Sequence, residues 1–265
     1  TFNAFTGSFG AVYSPNSFLN IYANIGRGWR PPSEFELFVD GVHEGTVRYD
    51  KGLKTLNPLA EPKPEESLNL DLGVRLNYKN LSIQLSVYRN VVDNFIYPAP
   101  TSDTIEGFQV YNIKQDKSTF YGYEYSIQFQ PAKWMVISAN GDYVNTENNA
   151  TGNPLPFTPP MKNLLEIKFQ KSSLGKFLNP YIKFTAKFVS GQDKTDPLES
   201  KTDGYTLLNA GIGFDLAFAK SVASVDLSFD NLADTKYVDH LSRYKNYAMN
   251  PGRSINLQVS VPFKL

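Results

Sequence analysis

Two stretches of the chain combine charged, imidazole and aromatic side chains without the alternation typical of a strand. The first stretch, residues 29–66, holds Trp29, Arg30, Asp40, His43, Glu44, Arg48 and Tyr49, and the second, residues 233–250, holds His240 and Arg243. Side chains of these types can meet a metal complex or a polar small molecule through ion pairs, hydrogen bonds and ring contacts. They are therefore the candidate substrate-binding residues. No catalytic residue, resident metal or cofactor is predicted.

Metal binding by this chain alone is a weaker interpretation of the same residues. His43 and His240 are the only two histidines, and the chain has no cysteine. Neither histidine has a second His or Cys at the spacing of a metal site, so both are predicted to be solvated loop side chains. A solvated acidic rim is likewise the simpler interpretation of four carboxylates in the first stretch, namely Glu34, Glu36, Asp40 and Glu44.

The overall composition excludes several classes of function. Lys and Arg together number 26, as do Asp and Glu, so there is no basic excess for binding nucleic acid. Mean hydropathy is negative, and no run approaches the roughly 18 apolar residues of a membrane helix. A membrane β-barrel stays compatible with these values, because such barrels carry their hydrophobic residues at every second position.

Alternation is clearest in residues 68–78. Leu68, Leu70, Leu72, Val74 and Leu76 share one face, whereas Asn69, Asp71 and Arg75 share the other. We predict that the apolar face contacts lipid and that the polar face lines a lumen. The same pattern recurs to the end of the chain, where residues 255–263 alternate in the same way.

About eleven such strands are predicted, and their connections alternate between short and long. The long connections begin after Arg27, Tyr97, Asn145, Gly191 and Asn231. Residues 27–67 and 98–107 are predicted to be loops, and 38–50 is expected to add no hydrogen bonds to a sheet. Short turns on one side and long loops on the other are typical of an outer-membrane barrel. The predicted fold class is therefore a transmembrane antiparallel β-barrel.

An odd number of strands cannot close a barrel whose two ends lie on the same side of the membrane. We therefore expect the first strand, residues 2–13, and the last, residues 251–263, each to have an unpaired edge within this chain. A soluble β-sandwich or β-helix is the alternative. Strands of about 11 residues, and aromatic side chains at strand ends such as Tyr78, Phe129 and Trp134, favour the membrane barrel.

Four segments together resemble the TonB-dependent outer-membrane receptors. They are GRGWRPPSEFEL at 26–37, PEESLNLDLG at 64–73, YGYE at 121–124, and NLADTKY at 231–237 with PGRS at 251–254. The order and spacing of these segments cover nearly the whole chain. A further segment, DHLSRYK at 239–245, resembles receptors for metals, haem or cobalamin-type cargo.

The resemblance implies a 22-stranded barrel around an N-terminal plug, of which residues 1–265 would be the C-terminal part. The plug and the first half of the barrel are expected to lie outside this chain. The implied function is uptake of a scarce nutrient, such as a ferric siderophore, haem, a metal complex or cobalamin, across the Gram-negative outer membrane. The implied partners are TonB through the plug, the nutrient cargo, and membrane lipid with lipopolysaccharide.

Two other classes of function stay open at the level of sequence. An outer-membrane barrel enzyme would need paired catalytic side chains at the loop bases, and two separate histidines make such a site hard to assemble. A soluble structural or adhesive β-domain is the other alternative. Four carboxylates on polar strand faces are interpreted as lumen-facing partners of Arg75, Lys168 and the plug rather than as a catalytic pair: Asp93, Glu124, Asp142 and Glu166.

Overall fold

The computed structural model describes residues 5–42, 45, 47–218 and 221–262. Its elements are β1 (Gly7–Asn16), β2 (Leu19–Arg30), α1 (Glu34–Phe38), β3 (Asp40–Val42), β4 (Tyr49–Lys51), α2 (Leu53–Leu56), β5 (Glu65–Tyr78), β6 (Leu81–Ile105), β7 (Phe108–Ala132), β8 (Met135–Asn148), β9 (Lys162–Gln170), β10 (Ser173–Leu174), β11 (Phe177–Val189), β12 (Tyr205–Phe218), β13 (Ser221–Asp230) and β14 (Ser254–Ser260). None of the described helices is long and apolar enough to cross a membrane.

Eleven strands form one continuous antiparallel sheet in the order β1-β2-β5-β6-β7-β8-β9-β11-β12-β13-β14. Each of these strands therefore pairs with the next one along the chain, which confirms the predicted fold class and strand number. In the described residues β1 and β14 each pair on one side only. The strand assigned to 251–263 is shorter than predicted, and residues 2–4 and 263 lie outside the described part.

The two faces of β5 differ as its alternation predicts. Leu72 is 52% exposed, and Leu68 and Leu70 are exposed on the same face. Asn69 and Asp71, on the other face, are half-buried. From Leu68 to Leu72 the polar face is thus the more enclosed one, whereas closer to the turn Val74 and Leu76 are half-buried and Arg75 is exposed. Apolar side chains that are exposed side by side on a sheet face need lipid to cover them.

Charged side chains on the polar face have partners that differ from those predicted. Arg75 lies 4.9 Å from the ring centroid of Tyr22, and Lys168 lies 4.6 Å from that of Tyr181. Neighbouring strands place these tyrosines diagonally across from the cations, within reach of a long side chain. The predicted pairing of Arg75 and Lys168 with carboxylates is therefore wrong.

Two of the four carboxylates instead pair with other lysines. Asp93 lies 2.9 Å from Lys117, and Glu166 lies 3.9 Å from Lys183. Both pairs bridge neighbouring strands, so they stabilise the sheet locally and are not arranged as a catalytic pair.

The connections separate the sheet into two edges, which we call the turn edge and the loop edge. Short reversals at the turn edge join β1 to β2, β5 to β6 and β7 to β8. In the second of these, Lys79 adopts a φ of 52°, the left-handed conformation that a two-residue turn requires. The loop edge carries the long connections, which confirms the predicted alternation.

The predicted loop at 98–107 is wrong. Strands β6 and β7 continue far beyond their neighbours as a hairpin of two 25-residue strands, whose turn lies at Glu106–Gly107. Pro98 and Pro100 both lie within β6. Strand β5 pairs with β6 only as far as Asp93, so beyond this residue one side of β6 has no partner strand. Proline fits there because the N–H group that it lacks would have no acceptor on that side.

The predicted loop at 27–67 is also shorter and more ordered than expected. Strand β2 extends to Arg30, and β5 begins at Glu65. Helix α1 is capped by Ser33, whose side chain accepts from the backbone of Glu36 while the Glu36 carboxylate accepts from the backbone of Ser33.

Segment 38–50 does add sheet hydrogen bonds, contrary to the prediction. Strand β3 pairs with β4, and β4 pairs in parallel with residues 110–112 of β7. Tertiary contacts determine the pairing of a strand as short as β4. Its three residues are too few to show an alternating pattern in the sequence.

Leu72 lies near the middle of β5, so its substitution tests which face contacts lipid. In the full-length protein in a bilayer, we expect Leu72→Arg to reduce the free energy of unfolding by about 2–4 kcal/mol. Asn69→Arg, on the polar face of the same strand, should cost much less because its charge stays in water. Urea unfolding measures both. An equal or larger cost for Asn69→Arg would reverse the assignment of the faces.

Candidate functional site

Five connections at the loop edge fold against one another. We call the described residues of these connections together the loop cap; they lie within 31–64, 94–117, 149–161, 190–204 and 231–253. Two contacts show how far they reach. Strand β4 crosses from the β2–β5 connection to pair with β7, and Nη1 of Arg243 donates to the carbonyl oxygen of Gly45 at 3.3 Å. Arg243 follows β13, near the other end of the sheet, so the cap joins strands that are far apart in sheet order.

The carboxylate of Glu199 lies at the centre of the cap. Nζ of Lys245 donates to its Oε1 at 2.8 Å, and the backbone N–H of Phe157 donates to both oxygens at 3.1 and 3.2 Å. These three residues belong to three different connections. The side chains of Glu199 and Lys245 are only 1% and 8% exposed. One buried carboxylate therefore fixes three loops relative to each other.

His240 lies against the same carboxylate. Its Nδ1 is 3.0 Å from Oγ1 of Thr202, and its Nε2 is 3.2 Å from Oε1 of Glu199. The direction of Nε2 does not satisfy hydrogen-bond geometry, so we treat this second contact as electrostatic. The His240 side chain is 1% exposed. The prediction of a solvated histidine is wrong, because the β13–β14 connection folds down onto residues 190–204.

Burial would by itself raise the pKa of the Glu199 carboxyl, since a charge in a poorly hydrated site is costly. The contacts of His240 and Lys245, together with the N–H of Phe157, outweigh burial and hold this pKa below its ordinary value of 4.5. Glu199 is therefore ionised at neutral pH, and its interactions stabilise the loop cap.

A second ion pair lies beside the first. Nε of Arg48 lies 2.9 Å from Oδ1 of Asp50, whose side chain is fully buried. The guanidinium carbon of Arg48 lies 5.0 Å from the ring centroid of Tyr111 and 5.3 Å from that of Phe157. The two rings stack at 5.9 Å. Arg48 is thus held in place by a carboxylate and by two aromatic rings.

Between these groups lies a cavity of about 380 Å³. Its lining comes from four of the five connections and includes Arg48, Arg243, Lys245, Tyr111, Phe157 and Tyr247. Burial raises the pKa of Tyr111 to about 12, so its phenol stays protonated at neutral pH and can donate a hydrogen bond. The cavity therefore offers cationic donors and aromatic rings together.

Among the predicted substrate-binding residues, Arg48 and Arg243 line this cavity, and His240 lies behind its wall. Arg30 lies elsewhere: Nη1 and Nη2 donate to the two Glu36 oxygens, both at 2.9 Å, and Nε donates to Glu65 at 2.9 Å. This double contact anchors α1 to the sheet. Glu36 is therefore not part of a freely solvated acidic rim.

Three further predicted residues lie away from the cavity wall. Trp29 is exposed on the same face of β2 as Ile21 and Ile25, which favours an anchor at the membrane interface over contact with a ligand. The hydroxyl of Tyr49 donates to Asp40 at 3.0 Å, so both side chains belong to the β3–β4 pair. His43 and Glu44 lie outside the described residues.

Sequence reasoning missed four residues that define the site: Glu199, Lys245, Tyr111 and Phe157. Each of the four gains its role from partners more than forty residues away, and a local pattern carries no information on such contacts. Lys245 lies in the segment DHLSRYK, and the resemblance of this segment to known receptors was the signal that pointed to its surroundings.

Metal ligation finds no support in the described part of the chain. No group of three or more His, Asp or Glu side chains is arranged there to hold an ion. In that part of the chain, Glu199 lies beside Lys245 and His240, and Asp50 beside Arg48, so neither carboxylate is grouped with two further metal ligands.

Comparison with known proteins gives a consistent family. The profile of the family described as TonB dependent receptor-like, beta-barrel, matches residues 1–232. Among solved structures, the copper transporter OprC is similar, with a TM-score of 0.79 and 18% identity over 96% of this chain.

Two further solved structures share the fold. BauA, the ferric preacinetobactin receptor from Acinetobacter baumannii, gives a TM-score of 0.68 and 16% identity over 97% of this chain. The ferripyoverdine receptor of the outer membrane of Pseudomonas aeruginosa gives 0.66 and 16% over 95%. This chain spans 39%, 36% and 32% of OprC, BauA and the ferripyoverdine receptor, respectively. At these identities the structures show a shared fold and do not identify a ligand.

The ionisation of Glu199 predicts how the loop cap responds to pH. Because the pKa of Glu199 is depressed in the folded protein, its stabilising contribution is complete above the ordinary value of 4.5. It is lost as the pH falls below that value and passes through the lower folded pKa. We expect the hydrogen-exchange protection of residues 239–250, corrected for intrinsic rates, to decrease as the pH is lowered below 4.5.

Glu199→Gln should reduce the protection of residues 239–250 already at pH 7, by roughly 3 kcal/mol, because it breaks a buried ion pair. The variant should also lose the dependence on acid pH. Asp193→Asn is the matched control, since Asp193 is exposed in the same connection. If Glu199→Gln and Asp193→Asn behave alike, Glu199 does not hold the cap together.

Proposed function

Since this chain belongs to the family of TonB-dependent receptor β-barrels, we propose that its loop cap captures a scarce nutrient for active uptake. Members of the family are transporters rather than enzymes, and they reside in the outer membrane of Gram-negative bacteria. This excludes the barrel-enzyme and soluble-domain alternatives. In the proposed orientation the loop edge faces the outside of the cell and the turn edge faces the periplasm.

The observation that supports capture by the cap is the cavity of about 380 Å³ enclosed by its connections. Loops that only cover a barrel need not share a buried ion-pair centre or enclose a lined space. Here the Glu199 and Asp50 pairs hold cationic and aromatic side chains around one cavity. Binding residues on loops positioned by a rigid sheet are the usual arrangement for recognition.

We further propose that other strands complete the wall. In the described residues, β1 and β14 each leave one edge without a partner, and each unsatisfied backbone group in hydrocarbon costs several kcal/mol. In this proposal, which the resemblance to 22-stranded receptors supports, the chain would be the C-terminal part of such a barrel. An N-terminal plug would then lie against the polar face and contact TonB.

The proposed cargo is a ferric siderophore, haem, another metal complex or a cobalamin-type compound. The similar structures include a copper transporter and two receptors described with ferric siderophores, so the fold alone does not choose between these. The shared property of the proposed cargoes is that each is larger than a bare ion. A distributed site of loop side chains, rather than a compact metal site, suits such a ligand.

Uptake by the full-length receptor tests this proposal. Cells would be supplied in turn with ferric siderophores, haemin, copper and cobalamin, and the cell-associated metal would be measured by mass spectrometry. We expect receptor-dependent accumulation from one of these sources, and we expect deletion of TonB to abolish it. Accumulation that is independent of TonB would contradict the proposed function.

The role of the cap is tested in the same assay by replacing residues 241–248 with a Gly-Ser segment of equal length. This change removes one wall of the cavity and leaves the strands intact, so accumulation should fall to the level of cells without the receptor. The control replaces 57–59, which are exposed in the β2–β5 connection and lie outside the cavity lining. Heat-dependent migration on gels confirms folding of both. Unchanged uptake in the 241–248 variant would place cargo capture elsewhere.

A further inference from the structure

We propose that the cavity of the loop cap recognises an oxyanion, a carboxylate or phosphate group, carried by a ligand with a flat apolar part. This inference rests on the proposed function, because it names the chemical class of cargo that the cap takes. It follows from the charge, donor geometry and aromatic lining of this one cavity, and not from the ligands of similar structures.

The charge of the lining is one-sided. Arg48, Arg243 and Lys245 line the cavity, and the lining residues that the structure describes include no Asp or Glu. Three carboxylates whose charges act on Tyr111, namely Asp50, Glu199 and Asp196, lie outside the described lining. Among the described residues, the cations are therefore the charged groups nearest the ligand. A bare metal cation would be repelled here, whereas an anion would be attracted.

The two carboxylates orient the cations without using all their donors. In the described part of the chain, Arg48 donates to Asp50 through Nε, and its two terminal nitrogens have no hydrogen-bond partner. Lys245 donates to Glu199 and to the carbonyl oxygen of Ser200, which leaves one of its three N–H groups. Preoriented cationic donors of this kind bind carboxylate and phosphate through short, strong hydrogen bonds.

The remaining wall is aromatic. Tyr111 and Phe157 stack with an angle of 21° between their planes, and Arg48 covers both rings. Tyr247 lines the same cavity and is 65% exposed, so much of its ring is accessible to a ligand. An aromatic or other flat apolar group would gain contact area against Tyr247 while its anionic end meets the cations.

The size of the cavity limits the ligand. A volume of about 380 Å³ lies at the lower end of the roughly 300–1,000 Å³ found for small-molecule sites. It would hold one compact organic anion, or one arm of a larger chelate whose remainder extends out of the cap.

The test uses a matched pair of probes, 1-naphthoate and its neutral amide 1-naphthamide. Both have the same flat ring, and only the first carries an oxyanion. Titration calorimetry with the purified full-length receptor would measure their dissociation constants at low ionic strength. We expect 1-naphthoate to bind at least about tenfold more tightly than 1-naphthamide, because hydrogen bonds to a charged group are the strong ones. We expect this difference to shrink as salt is added.

Arg243→Gln is the decisive variant, because Arg243 is exposed and its side-chain hydrogen bond to Gly45 is not part of the buried ion pairs. It should weaken the binding of 1-naphthoate by about tenfold and leave the binding of 1-naphthamide unchanged. Arg243→Lys should retain part of the preference for 1-naphthoate over 1-naphthamide. Lys201→Gln is the control, since it removes one positive charge from an exposed position of the cap outside the cavity lining.

The outcomes separate this inference from the proposed function. A preference for 1-naphthoate that Arg243→Gln removes and Lys201→Gln keeps supports the oxyanion site. Equal binding of the two probes, or an equal effect of the two variants, overturns it. In that case TonB-dependent uptake that needs residues 241–248 would still support capture by the cap, for a ligand of a different class.

Discussion

A carboxylate that is almost fully removed from water must be paired or it does not stay ionised, and the loop cap is built around one such group. Glu199 accepts from Lys245 and from the backbone of Phe157, and it lies against His240. Loops without regular structure have few backbone hydrogen bonds of their own to fix their positions. The buried contacts of Glu199 therefore fix the loops in place, whereas backbone hydrogen bonds between neighbouring strands fix the sheet.

The sheet and the cap consequently depend on different interactions. The sheet is held by continuous antiparallel pairing and by an apolar face that contacts lipid, so single polar substitutions at the loop edge should leave it intact. The cap depends on two buried ion pairs, on the short strand β4 and on a few hydrogen bonds across the sheet edge. Such a region opens at lower free energy than the strands, which is where ligand-binding segments of proteins are commonly found. A cavity between paired cations and stacked rings can thus respond to a ligand without disturbing the barrel wall.

The sequence predicted the sheet well and the cap poorly, for a physical reason. Apolar and polar residues alternate from Leu68 to Leu76 because the strand separates lipid from a polar interior. A local pattern in the sequence therefore reports the environment of each side chain. Pro98 and Pro100 misled the prediction of the β6–β7 hairpin, because prolines usually end strands and their unpaired side depends on where β5 stops. His240 was expected in solvent, although Thr202 and Glu199 enclose it from another connection. Arg48 and Arg243 were identified from residue type alone, whereas their shared cavity depends on chain segments about two hundred residues apart.

The central claim is that the connections after β11 and β13 meet around Glu199 in the working receptor. Oγ of Ser200 donates to Oδ1 of Asn246 at 2.7 Å, so cysteines at these two positions would lie close together across the two connections. In intact cells carrying the full-length receptor with Ser200→Cys and Asn246→Cys, a short bifunctional thiol reagent should join the pair rapidly. Adding Glu199→Gln should slow the reaction markedly. Failure of the first pair to react, or equal rates with and without Glu199, would contradict the account.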